Sequence, residues 1–145
     1  MNTLQNKLIA FIILLIISPL LIIVAILNLF INGYPIIFSA KRIGKDGKEF
    51  MIYKFRTMPI DKDVANNNYS IFLRKTNLDE LLQFFNVIKG DMNIVGPRPH
   101  DILEDVYFNE NIPDYKLRYK VKPGVTGLAA VNGNRGGTDL KLIIE

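Results

Sequence analysis

Residues 8–31, LIAFIILLIISPLLIIVAILNLFI, contain no charged side chain, and the reading of this run decides how the rest of the chain is organised. A helix needs about 20 apolar residues to cross the hydrocarbon core of a bilayer, so the length suits a membrane segment. A cleaved leader fits less well, because Lys7 alone is a thin basic region and no small-residue cleavage site precedes Gly33. Ser18-Pro19 falls near the middle of the run. Proline removes a backbone donor and crowds the carbonyl four residues earlier, and a neighbouring serine hydroxyl can satisfy the freed group. This allows two readings, a kinked spanning helix or a helix-break-helix hairpin that enters and leaves on one side. The tolerance of spanning helices for proline favours the kinked span. Flanking charge helps the hairpin only mildly, with Lys7 before the run and Lys41, Arg42, Lys45 and Lys48 after it.

Outside this run the chain is polar and basic. Its 145 residues have room for one compact domain, and 49% of them are hydrophobic, concentrated in the anchor. The net charge of +4 suits nucleic acid, a membrane surface or an anionic small substrate, and a membrane anchor puts lipid phosphates first. With no cysteine there is neither a disulfide framework nor a thiolate metal site. A single histidine excludes a His-cluster zinc centre and disfavours a histidine triad. Chemistry is left to carboxylates, lysines, arginines and hydroxyls.

After the breaker Gly33-Tyr34-Pro35, Ile36 to Ile43 reads as a strand, Gly44 to Gly47 as a turn and Lys48 to Met58 as a second strand. Strand alternation puts Lys54 and Arg56 on one face, either as solvated charges or as part of a pocket. Asp61 to Ser70 reads as a polar loop. Leu78, Leu81, Leu82, Phe85 and Ile88 then show helical spacing, with Asn77 as the expected cap and Gly90 beyond the end. A shorter helix is expected over Asp101 to Asn109. From Tyr115 to Lys122 apolar and basic residues alternate, so an extended segment would carry Lys116, Arg118, Lys120 and Lys122 as a basic stripe. Gly124, Gly127, Gly133, Gly136 and Gly137 make the tail rich in loops.

Asp79 and Glu80 fall in the first turn of the helix expected after Asn77, where free N–H groups and the helix dipole favour ionised carboxylates. Glu80 is explained equally well as the acidic member of a capping box. Asp79, with Gln83 and Asn86, forms a polar face opposite the apolar one. One carboxylate can serve there as nucleophile or base and its neighbour as a ligand for Mg²⁺, which takes oxygens from one or two carboxylates and substrate phosphates. Gly96-Pro97-Arg98-Pro99 restrains an arginine between two prolines, as a phosphate clamp or a rigid surface turn. His100, alone, is given no role.

Ser18-Pro19, Tyr53-Lys54-Phe55-Arg56-Thr57-Met58, Leu78-Asp79-Glu80-Leu81-Leu82-Gln83, Lys89-Gly90-Asp91-Met92, Gly96-Pro97-Arg98-Pro99 and Lys122-Pro123-Gly124-Val125-Thr126-Gly127-Leu128, then Val131-Asn132-Gly133, occur in this order. Together they resemble the bacterial sugar transferases, the monotopic phosphoglycosyl transferases, over nearly the whole chain. The resemblance implies a mixed α/β, mostly helical protein. Residues 1–33 would form a re-entrant hairpin broken at Ser18-Pro19. Residues 34–145 would form a small catalytic domain with a β-hairpin and interfacial amphipathic helices, on the cytoplasmic face of a bacterial inner membrane.

The resemblance also implies a reaction: transfer of a sugar 1-phosphate from a UDP-sugar to a polyprenyl phosphate such as undecaprenyl phosphate, with release of UMP, at the start of a surface glycoconjugate. Asp79 would be the nucleophile and Glu80 the Mg²⁺ ligand. Lys54 and Arg56 would face the diphosphate, Arg98 would fix a phosphate, and Lys122 and Gly124 would contribute to substrate binding. Membrane lipids are implied partners, a homodimer stays open, and nucleic acid is not expected, since no recognised module accompanies the basic residues. The chain departs from the family at Ala130, where Gln is usual, and at Lys122, where Arg is frequent. It also ends at Glu145, where relatives continue through a further Asp and aromatic residues; Asp139-Leu140-Lys141 resembles a stretch of the longer members. The alternative reading is an inactive anchored module that binds anionic lipid or nucleotide sugar.

Overall fold

A computed structural model describes residues 3–60 and 67–131. The first part of the expected polar loop, residues 61–66, and the tail with Gly133, Gly136, Gly137 and Asp139-Leu140-Lys141 lie outside the described residues, as does the side chain of Ala130.

The apolar run forms one helix, α1 (Thr3–Asn32), with Pro19 inside it. Pro19 has no N–H to offer the carbonyl of Leu15, and the Ser18 hydroxyl donates to that oxygen at 2.8 Å instead. Most of α1 faces outward, including Phe11, Leu15, Ile16, Ile22, Ile23 and Phe30. Its buried residues are Asn6, Ala10 and Leu14 before the proline and Val24 and Asn28 after it.

Both halves of α1 meet the same polar body. That body is built on an antiparallel hairpin of β1 (Ile37–Ile43) and β2 (Glu49–Phe55), in register from Ile37 opposite Phe55 to Ile43 opposite Glu49. The expected turn is a single 3-10 turn over Lys45–Gly47, with Asp46 and Gly47 at positive φ. Ala10 packs with Ile52, Val87 and Met92, whereas Val24 packs with Phe55, Leu73 and Leu82.

Between Pro59 and the candidate carboxylates the structure departs from the sequence pattern. The loop expected to reach Ser70 gives way to α2 (Asn68–Thr76), whose start is capped by the Asn67 side chain accepting from Ser70 N at 2.8 Å. Asn77 ends α2 in the left-handed conformation, φ 54°, and makes no side-chain cap for the adjoining turn. Leu78–Glu80 is that turn, of 3-10 type, and α3 (Gln83–Lys89) begins only after it, ending at Gly90 with φ 95°. A capping-box role for Glu80 is thereby removed.

Leu78, Leu82 and Ile88 turn to the core as expected, but the rest of the expected division between apolar and polar faces does not hold. Gln83 and Asn86 are buried while Phe85 is exposed. The cause is the free edge of β2: Asn86 accepts from Tyr53 N at 3.3 Å and donates to Met51 O at 2.6 Å, pairing with the strand as a neighbouring backbone would.

Two short parallel strands, β3 (Asn93–Val95) and β4 (Gly124–Thr126), hold the remaining chain. Their approach needs glycine. A Cβ on Gly96 would stand 2.5 Å from Lys122 O, and one on Gly124 would collide with Gly96 N. Between the strands lies α4 (Ile102–Asn111), with a capping box from Asp101 and Glu104, close to the expected helix. The chain is described as far as the short α5 (Leu128–Val131).

The basic stripe does not form. Tyr115–Lys120 is a 3-10 helix, and at three residues per turn Tyr115 and Arg118 share its inner side while Lys116 and Lys120 face outward. Tyr115 is drawn in by Phe108 and Ile112, with which it forms a third apolar cluster.

Candidate active site

Three segments far apart in sequence meet at Glu80. Lys54, near the end of β2, donates from Nζ to Glu80 Oε1 at 2.6 Å. Arg98 donates from Nη2 to Oε1 at 3.1 Å and from Nη1 to Oε2 at 3.4 Å, a two-pronged contact suited to a carboxylate. The side chains of Glu80 and Lys54 are 14% and 17% exposed, whereas that of Arg98 is 62% exposed, so Arg98 forms the open side of the cluster.

Asp79 is buried beside this cluster. Burial, and after it the charge of Glu80, pushes its carboxyl up to about 6, although Lys54 and Arg74 act against them. For Glu80 burial acts in the same direction, but Arg98 and Lys54 together overcome it and hold the group at about 2. Two adjacent carboxylates thus have separate characters. Glu80 is a fixed anion, and Asp79 is ionised at neutral pH yet poorly solvated, the condition that leaves a carboxylate nucleophilic.

The other residues singled out in the sequence are placed differently. Arg56 leaves the Lys54 face at the strand end and is buried. Its guanidinium donates to the carbonyls of Pro35 at 2.6 Å, Gly33 at 2.8 Å and Met58 at 3.2 Å, and to that of Asn32. Asn32 returns a bond to Arg56 O at 3.3 Å and another to Ser70 Oγ at 3.1 Å. Arg56 therefore ties the exit of α1 to the end of β2, with Nε, Nη1 and Nη2 all bonded to the chain's own backbone. Lys122 lies at the opposite end of α3 from Glu80, where its Nζ and that of Lys7 stand 3.8 and 3.6 Å from a Cβ built on Gly90. Gly124 N donates to Pro97 O at 3.0 Å and so supports the loop that carries Arg98.

A partly buried polar network beneath that loop is not evident from the sequence pattern. Arg118 Nη1 lies 2.6 Å from His100 Nδ1 and 2.7 Å from the Tyr115 hydroxyl, while Nη2 donates to Arg98 O. Tyr115 donates to Asp105 at 3.0 Å and Tyr119 to the same carboxylate at 2.5 Å. Guanidinium has only donors, so His100 Nδ1 accepts and the ring is neutral. Burial first, and then Arg118, Arg98 and Arg42, push His100 down to about 3. The signal in the sequence is the three-residue spacing of Tyr115 and Arg118, which the alternation of apolar and basic residues conceals.

A sequence profile described as bacterial sugar transferase matches residues 1–145. The chain belongs to the bacterial sugar transferase family. It is 43% identical over 94% of its length to a UDP-glucose:undecaprenyl-phosphate glucose-1-phosphate transferase of Klebsiella pneumoniae, and 44% identical over 93% to the Escherichia coli K12 protein of the same description. A UDP-N-acetylgalactosamine-undecaprenyl-phosphate N-acetylgalactosaminephosphotransferase of Aeromonas hydrophila is 38% identical over 79% of the chain. The chain spans about a third of the length of these curated relatives, 32%, 32% and 30% respectively. Within this family chain, the motif blocks around Lys54, Asp79-Glu80 and Arg98 are the ones that converge on one carboxylate cluster.

Proposed function

We propose that this chain transfers a sugar 1-phosphate from a UDP-sugar to a polyprenyl phosphate, with Asp79 as the nucleophile. The observation that carries the reading is the contrast between Asp79, buried with its carboxyl raised, and Glu80, held as an anion by Lys54 and Arg98. Family membership and the descriptions of the relatives supply the reaction class.

In the first displacement an Asp79 carboxylate oxygen bonds to the sugar-bearing phosphorus of the donor. The bond from that phosphorus to the bridging oxygen breaks, and UMP leaves with the electron pair. In the second, an oxygen of the polyprenyl phosphate attacks the same phosphorus and the Asp79 oxygen departs, leaving a lipid diphosphate sugar and a free carboxylate. Splitting the transfer means that two anionic substrates need not occupy the site together. Lys54 and Arg98 supply the positive charge that such substrates require.

The donor set suits Mg²⁺. Glu80 is a hard oxygen anion kept ionised, and Asp79 is adjacent. Among the described residues no cluster of three or more acidic, histidine or cysteine side chains forms a closed cage. Mg²⁺ commonly takes its remaining ligands from substrate phosphates and water. Glu80 would hold it, and when bound it would neutralise charge on the donor diphosphate.

Contacts at both ends of α1 support the re-entrant topology. Asn6 Oδ1 accepts from Ile94 N at 3.0 Å and Asn28 Nδ2 donates to Ile36 O at 3.0 Å, so the polar body is reached before and after Pro19. A straight helix would separate Ala10 from Val24 by about 21 Å. The apolar clusters in which they sit include Ile52 and Phe55, which are about 10 Å apart along β2. On α4, Leu103, Val106 and Tyr107 are exposed at helical spacing, as an interfacial helix on the cytoplasmic membrane face requires.

The test is UMP release from UDP-glucose and UDP-N-acetylgalactosamine by protein in bilayer discs, with undecaprenyl phosphate and Mg²⁺. Turnover that survives Asp79→Asn at full rate would remove Asp79 from the chemistry. Absence of UMP with every donor would leave the inactive anchored module.

A further inference from the structure

Arg98 is the most exposed of the groups on Glu80, yet its backbone is tied down on both sides. On one side Gly96 N donates to Thr126 O at 2.9 Å and Gly124 N donates to Pro97 O at 3.0 Å. On the other, Arg118 Nη2 donates to Arg98 O itself. Beyond Pro99, Ile43 N donates to His100 O at 3.3 Å, and Asp101 pairs with Arg42 at 3.2 Å. The Arg98 side chain is left to reach out from this fixed backbone to Glu80.

Arg118 is a charged side chain bonded directly to the backbone of this loop, and its own place is over-determined. Nη1 has two protons and two acceptors, His100 Nδ1 and the Tyr115 hydroxyl. The guanidinium also stacks over the Tyr115 ring at 4.8 Å. Behind Tyr115, the buried carboxylate of Asp105 receives two tyrosine hydroxyls, which fixes Tyr115 and Tyr119 and gives the network an internal counter-charge. The planar fork is what allows one side chain to serve Arg98 O, His100 and Tyr115 at once. An ammonium group cannot reproduce that shape.

We propose that Arg118 is a positioning residue for the transfer reaction, acting through Arg98: by holding the Arg98 carbonyl it sets where the Arg98 guanidinium meets Glu80 and the incoming phosphate. The proposal rests on Asp79 and Glu80 being the reacting centre. It assigns the His100–Tyr115–Asp105 network the task of holding Arg118, and it makes Tyr115–Lys120 part of the site although none of its residues reaches the carboxylates. A misplacement of about 1 Å in such a site costs on the order of 100-fold in rate.

A double-mutant cycle on the full chain in bilayer discs tests this, with UMP release from the donor that the wild type accepts. Arg118→Gln is expected to lower kcat/KM about 10- to 100-fold. In an Arg98→Gln background the same change is expected to cost less than about threefold, because the group it positions is already gone. Arg118→Lys, which keeps the charge without the fork, is expected to fall nearer Arg118→Gln than wild type, and it serves as the cycle's partner if the glutamine variant does not fold. Costs that multiply independently, or full rescue by lysine, would overturn the positioning role. A wild type that releases no UMP would instead defeat the reading of the reacting centre, so the two failures are distinguishable.

Discussion

Lys54 Nζ stands 2.6 Å from Glu80 Oε1, joining the end of a strand to a 3-10 turn 26 residues later, with both side chains largely withdrawn from solvent. Removing one partner leaves the other with an incompletely compensated charge, and Arg98 only partly replaces it. Lys54→Met should therefore destabilise the protein by about 1–3 kcal/mol and abolish turnover. Adding Glu80→Gln should restore part of the stability without restoring activity. Chemical unfolding in detergent measures the first and UMP release the second; strictly additive stability losses would contradict the pairing.

The close backbone contact beneath Arg98 gives a prediction about glycine. Gly124→Ala would drive a Cβ into Gly96 N, and Gly96→Ala would place one 2.5 Å from Lys122 O, so each should cost about 3 kcal/mol or more. Gly47 has open space around its missing Cβ and only a positive φ to lose, so Gly47→Ala should cost about 1 kcal/mol. Thermal unfolding of the three variants checks the order. A Gly124→Ala protein as stable as Gly47→Ala would refute the packing.

Acid stability separates two opposing groups. His100 is held at about 3 against an ordinary 6.5, so between these values the unfolded chain binds a proton that the native chain does not, and stability falls as pH falls. Asp79, at about 6 against 3.8, does the reverse within its own window: the native state takes up the proton first and stability rises as pH falls. Glu80 enters only below 4.5. From pH 6 to 4.5 the two effects should nearly cancel in the wild type. Asp79→Asn should then lose stability toward acid at up to about 1.4 kcal/mol per pH unit. Equal slopes in the two proteins, from denaturant titrations across this range, would show that the Asp79 shift is absent.

The topology is testable because the chain has no cysteine. Thr3→Cys and Tyr34→Cys place single thiols on exposed residues before and after the apolar run. An impermeant maleimide should label both from the same side of sealed vesicles. Labelling from opposite sides would establish a spanning helix.

Much of this organisation is legible in the sequence because it depends on local patterns. The uncharged run, the hairpin around Asp46-Gly47, the helix that follows Asp101 and the stop at Gly90 all arise from short-range chemistry. The features that escaped it depend on distant partners. Asn86 is polar on its helix yet buried, because β2 offers an unpaired edge that the sequence of α3 does not reveal. Arg56 looks like a second Lys54 until the strand ends and the carbonyls of residues 32–35 capture it. Tyr115 to Lys120 alternates like a strand, but Asp105 and Phe108 pull Tyr115 inward and the segment coils.

The most direct test of the central claim is intact mass spectrometry after exposure to UDP-glucose or UDP-N-acetylgalactosamine with Mg²⁺ and without acceptor. The expected result is a mass increase equal to one sugar phosphate, mapped by peptide analysis to Asp79, absent from Asp79→Asn and discharged on adding undecaprenyl phosphate. An adduct on another residue, or acceptor-dependent turnover that persists in Asp79→Asn, would contradict it.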